Sequence, residues 1–193
     1  PGEMCVEQAV CYALGEEVTD KPSCVGKEVR GFVILINDQE WSSPLARAEG
    51  MRELSIAQLG SNSLNQKSFR EKLSFAIITK MLPSMFKDLG EEKWEKEIKS
   101  LEGSKSLKEA IKAAYDVAVA DDNDVASAAY NGARYADASY AADASYAADA
   151  AYVAYAARAA AAATKTGEKY LKMISHLAVE VLKEMNSPGC QFI

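Results

Sequence analysis

Histidine occurs once in these 193 residues, and cysteine four times with no CxxC spacing. A zinc ribbon or a thioredoxin-type redox site is therefore not expected, because both need closely spaced thiols. Metal binding by Cys5, Cys11, Cys24 and His176 would require distant elements to converge, so no metal and no other cofactor is expected. The GxSxG, P-loop, GxGxxG and HExxH signatures are all missing. Basic residues are outnumbered, leaving a net charge of −6. That balance argues against general binding to nucleic acid or to an anionic membrane, since either needs a basic face. No apolar run approaches the ~20 residues of a membrane span. The start, PGEMCVEQAV, has neither a basic n-region nor a cleavage site. Thiols without an export signal suit a reducing compartment, so a soluble, cytoplasmic protein is expected.

What the chain has in quantity is alanine. Residues 126 to 163 are more than half alanine, with Tyr130, Tyr135, Tyr140, Tyr146, Tyr152 and Tyr155 threaded between them. Alanine is the best helix former, so this stretch reads as a helix. Within it a six-residue unit, Tyr-Ala-Ala-Asp-Ala-Ser/Ala, recurs almost unchanged. Six residues advance about 600° around a helix, so successive tyrosines step back by about 120°. Tyr140, Tyr146 and Tyr152 then point in three directions, as do Asp137, Asp143 and Asp149. That scatter removes any single binding stripe and predicts a close-packed central helix, in preference to an exposed spacer. An ice-binding face would need regularly spaced threonines, which are lacking.

Periodicity and capping signals predict helices along the rest of the chain. The first runs from about Met4 to Leu14 and stops at Gly15. Ser23 is placed to cap a second helix carrying Val29, Phe32, Val33 and Ile36, although FVILI also suits a strand over 31–36. Ser43-Pro44 opens a third helix with Leu45, Met51, Leu54 and Leu59 inward and Gly60 as its stop. Residues 61–63 open the next, with Phe69, Leu73, Ala76, Ile77 and Met81 on one side, and Pro83 is expected to kink or end it. A charged helix over 91–101 surrounds Trp94 and Ile98. Another follows over 107–120, then an acidic turn at 121–124, the Ala-rich helix over 125–164 and a last amphipathic helix over 168–185. The expected fold is an all-α bundle of about seven or eight helices with the Ala/Tyr-rich helix at its centre. An N-terminal helical segment, 1–103, and an Ala-rich segment, 104–193, would pack together as one domain.

Candidate chemistry is concentrated before Gly60. Cys5, near a helix N-terminus, could serve as a nucleophile with Glu7 or Asp38 nearby. Cys24 is the second thiol candidate, and either could meet His176 in space. Against this, free cysteines usually behave as small buried apolar residues, and a lone histidine is usually a surface or packing residue. Arg30, Arg47 and Arg52, with Asp38 and Trp41, could line a cleft for a small anionic ligand. The competing reading pairs these basic residues with Glu40, Glu49 and Glu53 on a solvated surface.

The phrases CVEQAVCYALG, TDKPSCVGKEVR, Asn37-Asp38, WSSPLARAEGMREL and IAQLGS, closed by AVEVLKEMNSPGC, carry a resemblance. Together they resemble uncharacterised bacterial proteins that join such a segment to an Ala/Tyr/Asp-rich helical tail. The Ala-rich half is also similar to immunity proteins of bacterial polymorphic toxin systems. The first likeness implies no activity, and the second implies a protein partner. The leading expectation is a non-enzymatic binding protein: an immunity, adaptor or inhibitor protein, with homo-oligomers compatible. A protein that sequesters a nucleotide or anionic metabolite is the second reading, and a cysteine-dependent enzyme the third.

Overall fold

The computed structural model describes residues 4–88, 94–120 and 167–193. The fold is all-α, and no strand occurs among the described residues. The Ala/Tyr repeat, the acidic turn at 121–124 and the central-helix expectation lie outside them. Two compact units divide the chain, Pro1–Arg70 with Ser175–Ile193, and Glu71–Ile174.

In the first unit, α1 spans Val6–Leu14 and stops at Gly15, whose φ of 71° is the left-handed C-cap conformation expected of glycine. Helix α2 spans Lys27–Asn37. FVILI is therefore helical: Val29, Phe32, Val33 and Ile36 are buried at the i, i+3, i+4, i+7 spacing of one helix face. Ser23 does not cap this helix. Its backbone N–H and its hydroxyl both donate to the Glu16 carboxylate, and the N-cap is Gly26, without a side-chain bond. The first N–H groups of α2 are instead satisfied across the chain. The Ser61 hydroxyl accepts from Gly26 at 2.9 Å, and Gln66 Oε1 accepts from Glu28 at 3.2 Å.

Helix α3 spans Pro44–Ala57 and begins as its sequence predicts, with Ser43 Oγ accepting from the Ala46 N–H at 3.1 Å and proline in the first turn. Leu45 is a correction. It is 67% exposed, while Met51 and Leu54 are buried. Nine residues separate Leu45 from Leu54, about 900° of helix, which puts them on opposite sides. The Ser61–Ser63 segment forms only a 3-10 turn, and α4 begins later, at Gln66–Ala76, where Asn65 Oδ1 accepts from the Ser68 N–H. After the last helix, the C-terminal residues return to α3. Ser187 donates to the Ala57 carbonyl at 2.7 Å, and the Gly189 N–H to the Leu59 carbonyl at 2.8 Å. A Cβ on Gly189 would lie 2.0 Å from the Ile56 oxygen, so only glycine permits this approach.

In the second unit, Pro83 does not end the helix. The preceding Ile77–Met81 widens into a π turn, and α5 continues over Leu82–Asp88. The proline ring would collide with the carbonyl of Thr79, four residues back, and the π turn falls where that carbonyl must be displaced. Helix α6 spans Glu95–Glu102 and α7 spans Leu107–Ala120. Trp94 is buried, its ring 4.8 Å from that of Phe86. The last helix, α8, runs Gly167–Glu184, its residues to Ile174 in the second unit and those from Ser175 in the first, and buries Leu171, Ile174, Leu177, Val181 and Leu182.

Candidate functional site

Two helices of the first unit leave an open groove of about 490 Å³ between them. Its α1 wall is Val6, Ala9, Val10 and Ala13, another i, i+3, i+4, i+7 stripe. Its α3 wall repeats the pattern with Pro44, Arg47, Ala48 and Met51, continued by Ser55 and Ile56. Alanines on both walls keep the channel open, and Met4 and Leu14 at the rim are each 47% exposed. Polar character is confined to Cys5, Asn37, Arg47 and Ser55.

Local bonding fixes the mouth of this groove. Cys5 is the N-cap of α1. Its Sγ accepts from the Gln8 N–H at 3.4 Å, and Gln8 Oε1 accepts from the Cys5 N–H at 3.1 Å, a capping box with cysteine in the serine position. Buried Asn37, at the end of α2, accepts from the Val6 N–H through Oδ1 and donates from Nδ2 to Asp38. The start of α1 is thereby tied to the end of α2.

The residues singled out from sequence are distributed as follows. Cys5 and Arg47 line the groove. Asp38 sits beside it as the exposed C-cap of α2. Trp41 is half-buried, and its indole N–H donates to the Ile36 carbonyl at 3.0 Å, so it closes the end of α2. Arg30 is half-buried on α2, where its charge acts on Glu7, and Arg52 is exposed on α3. Neither belongs to the groove walls, so the three arginines do not form one cleft there. Cys24 is half-buried, with its carbonyl accepting from the Asn62 N–H. The exposed His176 faces Glu180 one turn along α8 at 3.5 Å, and it is not part of the groove that holds Cys5. Among the described residues, no cluster of three or more histidine, cysteine or acidic side chains could hold a metal ion. Nor is any described helix long and apolar enough to cross a membrane.

Glu7 is the residue whose environment departs most from expectation. It is fully buried on the inner face of α1, with neither carboxylate oxygen hydrogen-bonded. Burial pushes its carboxyl up to about 8, against a smaller downward pull from the Arg30 charge and from the neighbouring Gln58 amide; Asp20 adds to the rise. Gln58, at the C-cap of α3, is fully buried too, and both ends of its amide are likewise unpaired. The sequence signal for this pair was slight: an acid between Val6 and Val10 looks like part of a solvated first turn. The chain matches no protein-family model, no curated protein and no solved structure.

Proposed function

We propose that this chain is a non-enzymatic binding protein of the bacterial cytoplasm, of the immunity, adaptor or inhibitor kind, that seats an apolar helix of a protein partner between α1 and α3. The groove carries this reading. Its walls are two helical stripes of small and apolar residues, the form that receives an amphipathic helix through anchors at i, i+3, i+4 and i+7. Arg47 is the charged residue among its walls. Nucleotide capture is less well supported, because phosphate recognition calls for several converging cations and Arg30 and Arg52 lie off the groove walls. A small amphiphilic anion, with its tail along the alanines, is the second reading, since the volume falls in the range of small-ligand pockets.

The test is selection of amphipathic helices from a displayed library, followed by binding to the wild-type chain and to A48E. Ala48 is exposed, so the fold should tolerate the acid. Binding is expected to weaken about tenfold or more, the effect of losing ~1.4 kcal/mol of contact. Selected helices that bind A48E as tightly as wild type would sink the groove reading. A thermal shift with anilinonaphthalene sulfonate but no selected helix would favour the small anion. Self-association in light scattering, abolished by A48E, would make the occupant a second copy.

A further inference from the structure

Among the described residues, four buried polar atoms without a hydrogen-bond partner belong to just two neighbouring side chains of the first unit. They are Oε1 and Oε2 of Glu7 and Oε1 and Nε2 of Gln58. An ionised carboxylate offers only acceptors, so it can satisfy the amide nitrogen but leaves the amide oxygen facing negative charge. A neutral carboxylic acid is different. Its O–H donates to the Gln58 oxygen while its carbonyl accepts from the Gln58 nitrogen, and one proton pairs all four groups at once.

We propose that Glu7 is held as the neutral acid in a reciprocal pair with Gln58, and that this proton docks α1 against the end of α3, making the groove a pH-responsive surface. The proposal rests on the groove reading for its functional meaning, not for its chemistry. On ionisation the Glu7 O–H bond breaks, the proton passes to water and the electron pair stays on the carboxylate. The groups that face this acid are Arg30 from α2, Gln58 from α3 and Asp20 from the loop after α1. Arg30 makes no hydrogen bond to either oxygen, so it does not replace the lost proton. The same helix carries the acid on one face and the groove wall on another, Val6, Ala9, Val10 and Ala13. Release of α1 therefore removes one side of the groove.

The linkage has a definite direction. A carboxyl raised from 4.5 to about 8 in the docked state binds its proton more tightly there than when α1 is open. Docking is then strongest below the ordinary carboxylate value and weakens as pH rises toward 8, levelling beyond it. The experiment is hydrogen exchange of the full chain between pH 5 and 9, corrected for base catalysis, comparing wild type with E7Q. In wild type, the opening constant for the Val10 and Cys11 amides is expected to rise about tenfold per pH unit up to pH 8. In E7Q, whose neutral amide can also pair with Gln58, it is expected to stay flat. The same pH course in both proteins would overturn the proposal.

Infrared titration of wild type gives a readout that does not depend on the variant folding. A protonated-acid carbonyl band that persists at neutral pH and disappears near pH 8 is expected, and its absence at pH 6 would also overturn the idea. Anilinonaphthalene sulfonate separates the two readings. A pH-dependent α1 with no probe binding would remove the groove reading alone, whereas probe binding and α1 exchange that both ignore pH would remove the proton lock alone.

Discussion

A single carboxyl group sets the pH behaviour expected of the first unit. With Glu7 neutral in the fold and ionised in the unfolded chain at pH 7, the raised value opposes folding. From 4.5 to about 8, that opposition amounts to about 3 kcal/mol at pH 7 and under about 1 kcal/mol at pH 5. Glu7→Gln keeps the shape and the reciprocal amide geometry without the ionisation. It should stabilise the protein by a few kcal/mol at pH 7 and by much less at pH 5, as read by urea unfolding at the two pH values. Equal stabilisation at both would mean that packing, and not proton binding, distinguishes the two side chains. The choice of acid over amide at this position then has a stability cost, which is coherent if the proton has a use.

At the scale of elements, the sequence was legible wherever a signal was local. Ser43 and Pro44 announce α3, Gly15 announces the end of α1, and the 3.6-residue stripes of α2 and α8 mark what is buried. Ser43→Ala should therefore cost about 1 kcal/mol, the usual loss when the N-cap oxygen is removed, while Ser43→Asp should retain most of it. Thermal unfolding of the two variants beside wild type checks this, and a neutral S43A would mean that water replaces the cap. Signals that need a partner in space were not legible. Ser23 looks like a cap but is taken by Glu16, and the N–H groups of α2 find Ser61 and Gln66, over thirty residues away. Leu45 looks like core because it is leucine, but its angular position on α3 turns it outward. The groove was hidden for the same reason. It requires knowing that the α1 stripe with alanines faces the α3 stripe with alanines, and neither helix states its neighbour.

Among the described residues, two carboxyls, one in each unit, titrate with opposite sense. The first holds Glu7, raised by burial. The second holds Asp88 at the end of α5, where bonds from the Lys169 ammonium and then the Tyr170 hydroxyl keep the carboxyl below its ordinary value. Tyr170 is itself fully buried, and its hydroxyl is pushed up by burial and by the Asp88 bond. A lowered carboxyl stabilises the fold above its unfolded value, and that contribution disappears as pH falls through the folded one. Acid should therefore loosen α5 and the first turns of α8, while it tightens α1. Asp88 is partly exposed, so solvent screening keeps its effect the smaller of the two. Lys169→Met removes its leading partner. The variant should be less protected than wild type in α5 at neutral pH, and the two should converge as the pH drops below the carboxylate range. Residue-resolved hydrogen exchange across both units measures this directly. If α1 and α5 gained or lost protection together, a single global opening would control both, and the separate pH responses argued from Glu7 and Asp88 would have to be given up.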